Sequence, residues 1–249
     1  MSRVAEKTND FINISGAAIT NGTAQNADIL FYGGTHHEIP GLIKLSGRTT
    51  SFHTQPLNKV TKRALDLIIA IVVIVSVLSW LVPLLAICIK LGSRGPVFFL
   101  QRRNKRNGEI FTCIKFRSMV VNKEADILPA AENDPRITKL GRFLRRYYID
   151  ELPQFLNVLW GDMSVVGPRP HMISDNLRYG EMVDHYFYRH KVKPGITGLA
   201  QVLGYVGSVG EDTQKIKDRV RLDIFYWRHW SLRLDIVILF RTIGHAMGF

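Results

Sequence analysis

Leu67 to Ile89 reads LIIAIVVIVSVLSWLVPLLAICI, 23 residues without a charge. That is long enough for a helix to cross a hydrocarbon core, and a buried core helix rarely runs so far without a polar face. Membrane insertion is therefore the expectation. The manner of insertion is read from the flanks. Lys59, Lys62 and Arg63 precede the run, and Lys90, Arg94, Arg102, Arg103, Lys105 and Arg106 follow it. A simple span collects its basic residues mainly on the cytoplasmic side, whereas here both flanks are basic. Pro83 removes a backbone hydrogen bond and bends the helix; Ser76 and Ser79, just upstream, can satisfy freed carbonyls. A re-entrant helix hairpin over residues 59–91, leaving on the face it entered, meets both observations. A proline-kinked spanning helix is the alternative.

The charge is as unevenly placed as the hydropathy. Residues 1–58 carry four Lys/Arg and four Asp/Glu, so the whole net charge of +12 lies beyond them. Phosphates are the natural partners of such an excess: lipid headgroups, nucleotides or nucleic acid. No helix-turn-helix or RNP signature supports nucleic acid, which is set aside as a partner. Residues 1–58, rich in Thr, Asn, Gly, Ser and His without a sustained period, read as a disordered polar leader, with a short pairing element around Ile29–Tyr32 as the other reading. No basic start followed by an apolar run marks a signal peptide. The two cysteines, Cys88 and Cys113, suit a reducing compartment and lack metal-ligand neighbours at zinc spacing.

From residue 92 to 249 the pattern is that of an α+β, mostly helical cytosolic domain with a small β-hairpin. SRGPVFFLQRR and EIFTCIKFRSM read as the hairpin strands. Residues 134–160 read as mainly helical, opened by Asp134-Pro135 and punctuated by Gly141 and Pro153. GDMSVVGPRP and VKPGITGLAQVLGYVGSVG read as loops, and residues 211–229 and 231–247 as two more helices. The last has a broad apolar stripe preceded by Trp227 and Trp230, which fits a helix at a membrane interface and equally an ordinary core helix.

Phosphate chemistry needs a nucleophile, charge neutralisation and positioning, and GRFLRRYYIDELPQ offers all three. On one helix Arg142, Arg145, Arg146, Ile149 and Asp150 would share a side, putting the carboxylates of Asp150 and Glu151 a turn from guanidiniums that hold phosphate as a fork. Nearby cations keep an attacking carboxylate ionised; the second carboxylate can hold Mg²⁺ together with substrate phosphate oxygens. By spacing alone a solvated salt-bridge ladder is the commoner reading. Lys115 and Arg117 alternate with apolar residues and should share one strand face, as a phosphate wall or as plain solvent-side charges. Arg169 stands between two prolines on a stiff backbone suited to clamping an anion, or simply in a turn. PGITG is a glycine-bearing loop without a Walker or dinucleotide fingerprint. His171, His185, His190, His229 and His245 form no zincin pattern and read as surface or core residues.

The ordered set KLGSRGPVFFLQRR, IKFRSM, LGRFLRRYYIDELPQFLNVLWGDMSVVGPRP, VKPGITGLAQVLG and RLDIFYW resembles one family. It is similar to the bacterial sugar transferases, the monotopic polyprenol-phosphate phosphoglycosyl transferases, from about Lys59 to Phe249 and in their short ExoY-like form. The resemblance implies a ping-pong reaction. A carboxylate attacks the β-phosphorus of a UDP-sugar and releases UMP, and undecaprenyl phosphate then takes the phosphosugar, starting exopolysaccharide or capsule synthesis. Carried over residue by residue, it implies Asp150 as nucleophile, Glu151 as Mg²⁺ ligand, and Arg145 as phosphate-binding arginine. Lys115 is implied as the lysine of the KFR motif, and Asp223 as the aspartate of LDxxY. Arg169 and Gln201 are implied in nucleotide binding. It further implies UDP-glucose or UDP-galactose as donor, the cytoplasmic face of the inner membrane as location, downstream glycosyltransferases as partners and a homo-oligomer as a candidate state. Tyr147-Tyr148-Ile149 departs from the Ser or Thr often found before the acidic pair. A non-catalytic basic membrane-surface scaffold is the alternative that charge alone allows.

Overall fold

The computed structural model describes residues 56–122, 130–131, 134–205 and 213–247. The leader expected over residues 1–58 therefore lies almost wholly outside the described residues. The apolar run forms one long helix in three parts: α1 (Pro56–Val73), a π-helical turn (Ile74–Leu78) and α2 (Ser79–Gly92). Together they make a helix long and apolar enough to cross a membrane. The π-turn sits one turn ahead of Pro83, where an i→i−5 bond runs from the Ser79 N–H to the Ile74 carbonyl. Such bulges absorb a proline's missing donor. Ser76 and Ser79 engage upstream carbonyls, at Val72 (2.6 Å) and Val75 (2.7 Å), and the Trp80 indole donates to Ser76 O (2.9 Å). Ile68, Val72, Val75, Trp80, Leu84 and Ile87 are all exposed, an apolar surface that water does not favour and lipid does.

Both ends of this helix are tied to the domain that follows. Near the start, Lys62 donates to Val166 O (3.0 Å) and pairs with Asp235 (2.8 Å), while Asp66 accepts from Ser164 Oγ and the Val165 N–H, each at 2.9 Å. Arg63 holds the carbonyls of Val158 and Leu159. At the far end the guanidinium of Arg117 caps the carbonyls of Ser93 (2.7 Å) and Arg94 (2.6 Å) and reaches Ile89 (3.4 Å).

The expected hairpin is present. Strands β1 (Phe98–Asn104) and β2 (Ile110–Phe116) pair antiparallel from Phe98↔Phe116 to Asn104↔Ile110. The 134–160 segment is helical but broken. α3 (Lys139–Arg146) is capped by Thr138, whose hydroxyl accepts the Gly141 N–H (2.9 Å), rather than by Asp134-Pro135. It stops at Tyr147, and a short 3₁₀ turn (Ile149–Glu151) leads into α4 (Gln154–Trp160). Two segments read as loops contain strands instead: β3 (Ser164–Val166) and β4 (Gly195–Thr197) form a buried parallel pair. The glycines of PGITG have a packing reason there. A Cβ on Gly195 would lie 2.1 Å from Gly167 N, and one on Gly198 would lie 2.2 Å from Gly167 O, so the two backbones can approach only without side chains.

Between β3 and β4 lie α5 (Ile173–Met182), which the sequence pattern did not reveal, and a 3₁₀ segment (Tyr186–Lys191). α6 (Leu199–Val202), α7 (Thr213–Arg228) and α8 (Leu232–Met247) complete the described chain. In α8 one side, with Leu234 and Ile238, is buried, while Ile236, Phe240 and Ile243 stay exposed. The main core joins Ala70, Leu78, Leu85 and Ile89 of the apolar helix to Phe116, Leu144 and Val158.

Candidate active site

The acidic pair is placed by a break in the chain. Tyr148 adopts a left-handed conformation (φ 56°), which costs a bulky L-residue roughly 1–2 kcal/mol. Strain of this kind collects at functional sites. The single helical face that would have aligned Arg142, Arg145, Arg146 and Asp150 therefore does not exist. Arg142 and Arg146 point to solvent, and only Arg145, half-buried, remains with the acids. The turn carrying Asp150 and Glu151 is held against the hairpin by Asn157 of α4, which donates to Thr112 O (2.8 Å) and accepts the Ile114 N–H (3.0 Å). The side-chain amide thus extends the β2 ladder and brings Lys115, next along the strand, to the acids.

Asp150 and Glu151 are both buried, yet their environments differ sharply. Glu151 accepts from Lys115 Nζ (2.8 Å) and from both Nη groups of Arg169, one at 2.7 Å. Burial works against its charge, but the fork of Arg169 and the ammonium of Lys115 prevail and hold the carboxyl well below the usual carboxylate range. Asp150 has no hydrogen-bond donor among the described residues. Burial and the charge of Glu151 raise its pKa above the ordinary value, opposed by Lys115, Arg145 and Arg169. One acid is locked as an anion by its neighbours; the other is a free carboxylate facing cations it does not bond.

That carboxylate lines a cavity of about 350 Å³ together with Lys115, Arg145 and Arg169. Arg145 Nη1 is buried there without a partner among the described residues, a donor available to an anion. Arg117 also borders the cavity, but both its Nη groups serve the carbonyls at the end of α2. It lies one residue beyond β2 and does not join Lys115 in a phosphate wall. Asp223 does not border the cavity. It is buried in α7 and paired with Arg189 (2.8 Å), whose other donors reach Tyr186 Oη (3.1 Å) and Arg169 O (2.6 Å). Asp223 is thus linked to the site through Arg189, which bonds the main chain of Arg169. Gln201 is likewise outside the cavity lining, with its amide on Ile196 O (3.2 Å).

Among the lining residues that the sequence pattern does not mark are Arg103, Arg219 and His171. Arg103 borders the cavity and donates to Pro170 O (3.2 Å) and to Gln101. Its signal was the strict alternation of Gln101 and Arg103 along β1. Arg219 is buried in α7 beside the cavity; a charged residue within the stripe Ile216, Arg219, Val220, Asp223 was the clue. His171, read as a plain surface or core histidine, is buried and borders the cavity.

For a divalent cation the donor set is narrow. Both lone-pair positions of Glu151 Oε1 are taken, and Oε2 keeps one. No group of three or more His, Cys, Asp or Glu gathers at metal-binding spacing among the described residues. Mg²⁺ needs only one or two carboxylates when substrate phosphates complete its shell, so these residues fit a cation that arrives with a diphosphate and do not fit an all-protein cage.

A helix long and apolar enough to cross a membrane is rooted in a domain whose cavity sets an unbonded carboxylate among Lys115, Arg145 and Arg169, the class of site that suits a phosphate at a lipid surface. A family model described as bacterial sugar transferase matches residues 57–248, and the chain belongs to that family. Among curated relatives, the UDP-glucose:undecaprenyl-phosphate glucose-1-phosphate transferase of Escherichia coli (strain K12) is 45% identical over 188 residues, 75% of this chain and 40% of that protein. A protein of the same name from Caulobacter vibrioides (strain ATCC 19089 / CIP 103742 / CB 15) is 42% identical over 183 residues, 73% and 68% of the two chains. The exopolysaccharide production protein PSS of Rhizobium leguminosarum bv. phaseoli is 41% identical over 195 residues, 75% and 95%. The chain spans about two fifths of the length of several of the curated relatives it matches.

Proposed function

We propose that the protein transfers a hexose 1-phosphate from a UDP-sugar to undecaprenyl phosphate, as the first step of exopolysaccharide or capsule synthesis. UDP-glucose or UDP-galactose is the donor, and the names of the E. coli and C. vibrioides relatives favour glucose. The observation that carries this reading is the Asp150 carboxylate, buried, unbonded and ringed by Lys115, Arg145 and Arg169 at a cavity wall.

An oxygen of Asp150 attacks the β-phosphorus in line, the bond to the α-phosphate oxygen breaks, and UMP leaves with that electron pair. The phosphosugar is then an acyl phosphate on Asp150. A phosphate oxygen of the lipid attacks the same phosphorus, the aspartyl oxygen leaves, and the carboxylate is restored. Dividing one transfer into two displacements lets a single nucleophile serve both substrates, and charge neutralisation by fixed cations stabilises each transition state. The unpartnered Nη1 of Arg145 suits an equatorial phosphate oxygen. Glu151 keeps Arg169 and Lys115 in place for the same task. Mg²⁺, held by Glu151 together with the diphosphate, would add positive charge at the leaving group.

The long helix is read as re-entrant, at the cytoplasmic face of the inner membrane. Arg63 and Ile89 both bond the same polar domain. A straight helix between them would measure roughly 39 Å, beyond the roughly 30 Å of a hydrocarbon core, and would carry its ends to opposite sides. Basic flanks at both ends support the same reading. Cysteine labelling before and after the run tests it: opposite sidedness means a spanning helix.

The function is tested by radiolabel transfer from a panel of UDP-sugars to undecaprenyl phosphate, with UMP release followed in parallel. Product formation dependent on Asp150 is expected. No product with any sugar would leave a non-catalytic basic membrane protein as the better account.

A further inference from the structure

The cavity beside Asp150 has two unlike ends. Toward the membrane helix its wall is apolar, with Pro96, Phe98, Phe99, Val120 and Val121. At the other end stand His171, Asp175 and Tyr179. β1 runs between them: Phe98 and Arg103 are five residues apart along the strand, roughly 17 Å, and the Arg103 main chain bridges to Met172. Glu151 bonds Lys115, which pairs across from Phe99 at the apolar end, and Arg169, two residues before His171 at the other, so the acids lie between the two ends.

A chain of side chains fixes the protonation of His171. Asn104 must turn its amide nitrogen to the Gly108 carbonyl (2.7 Å), which leaves its oxygen for the Asn176 nitrogen (2.6 Å). The Asn176 oxygen then takes the single proton of Tyr186 (2.6 Å). Tyr186 Oη can only accept at its remaining positions, from Arg189 (3.1 Å) and from His171 Nδ1 (2.6 Å). The proton of His171 is therefore on Nδ1, and Nε2 carries a lone pair. Burial first, and then the charges of Arg189, Arg219 and Arg103, keep the imidazole neutral, far below its ordinary pKa. Nε2 is buried and has no partner among the described residues. A buried acceptor without a donor costs stability, so its retention at a cavity wall points to a donor that arrives with the ligand.

A phosphate is an acceptor and gains nothing there. A hydroxyl is a donor. Asp175, a second acceptor at the same end, is held by the Met172 main chain and lies 3.8 Å from Arg178. In the double displacement UMP leaves and the lipid phosphate enters from one side of the phosphorus, and the lipid tail needs the apolar, membrane-side end. The part of the donor that stays through both steps is the sugar, which leaves it the opposite end. We propose that His171 and Asp175 form the sugar-reading end of the site, accepting at Nε2 and at the carboxylate from hydroxyls of the transferred hexose. This inference rests on the transferase reading above and deepens it.

The test compares wild type with His171→Asn, whose amide keeps the donor to Tyr186 but removes the Nε2 acceptor. Both are assayed with UDP-glucose, UDP-galactose and a set of monodeoxy UDP-glucoses, with UMP as product inhibitor. His171→Asn is expected to lower kcat/KM about 10-fold for the preferred sugar, to cost nothing further on the one deoxy analogue that lacks the bonded hydroxyl, and to leave UMP inhibition unchanged. An equal loss on every sugar and analogue overturns the inference. Weaker UMP inhibition also overturns it, by moving the bonded hydroxyl to the ribose. If His171→Asn does not fold, Asp175→Asn is judged by the same pattern and the same two failures. A wild-type protein that turns over no UDP-sugar sinks the transferase reading itself, and the sugar end falls with it.

Discussion

Two of the buried charge clusters among the described residues are built on opposite terms. At the root of the membrane helix Asp235, wholly inaccessible, accepts from Lys62 (2.8 Å), Tyr226 Oη (2.8 Å) and the Trp230 indole (3.1 Å). Asp66 beside it takes a hydroxyl and a main-chain N–H. Each carboxylate there is bonded, and the cluster stitches α1, β3, α7 and α8 together. At the cavity, Glu151 is bonded as fully, but Asp150 has no donor among the described residues, and Arg145 Nη1 and His171 Nε2 are left without partners. Buried polar atoms are nearly always paired. A cluster that closes on itself is structural. One that leaves a carboxylate, a cation donor and a neutral acceptor open has the form of a site for a ligand with the complementary set.

The contrast is broken most directly at its centre. Asp150→Asn should cut UMP release and sugar-phosphate transfer by roughly 10³-fold or more, as loss of a covalent nucleophile does. It should leave thermal stability unchanged or raised, because it removes a buried charge without a bonded partner. Residual activity near wild type would take Asp150 out of the nucleophile role. The closed cluster should behave in the reverse way. Asp235→Ala leaves buried Lys62 only the more distant carboxylate of Asp66 (3.5 Å) and strips Tyr226 and Trp230 of their acceptor, which costs about 3 kcal/mol or more, read as a lower melting temperature in detergent or nanodiscs. The protein that still folds should turn over at close to the normal rate per molecule. A specific loss of kcat with unchanged stability would mean that the root of the helix belongs to the chemistry.

Arg169 tests the boundary between the two kinds of cluster, since it is bonded like a structural residue yet borders the cavity. Arg169→Lys keeps the charge but loses the planar fork on Glu151. Transfer should fall by roughly 10- to 100-fold, about 1–3 kcal/mol, the scale of a hydrogen bond to a charged group. Activity equal to wild type would show that point charge, and not the fork, is what the site requires.

How much of this could be read from the chain alone follows the same division. The apolar run, the β1–β2 hairpin and the two terminal helices announce themselves by length or period, because each buries or exposes a repeating face. β3 and β4 do not. Each is three residues long, buried, parallel, and flanked by Gly and Pro, so neither alternation nor composition separates them from loop. Asp150, Glu151, Lys115, Arg145 and Arg169 do come together, although for another reason than shared helix spacing: the left-handed Tyr148 ends α3 and turns the acids inward. Asp223 and Gln201 were assigned to substrate by motif alone. The structure gives Asp223 to Arg189, 34 residues away, and Gln201 to the main-chain carbonyl of Ile196, five residues back, and neither partner is encoded in the motif. His171 shows the reverse. Its role depends on a relay through Asn104, Asn176 and Tyr186, residues scattered over 82 positions of sequence.

The smallest effect concerns protons. In the proposed mechanism Asp150 must be ionised to attack, and its pKa is raised by burial and by Glu151, against the pull of Lys115, Arg145 and Arg169. The acid limb of kcat/KM should therefore lie above the ordinary aspartate value, with activity lost as pH falls through it. Arg145→Met removes one of the cations favouring the charged form, so the limb should move to higher pH, in addition to any loss at the plateau. Glu151 runs the other way: its depressed pKa contributes stability present above its unfolded value and lost only as pH falls well into the acid range. A pH series of melting temperature beside the rate profile separates the two groups. Should Arg145→Met lower the plateau and leave the limb where it was, Arg145 would bind phosphate without tuning the nucleophile, and the open cluster would be less tightly coupled than its geometry implies.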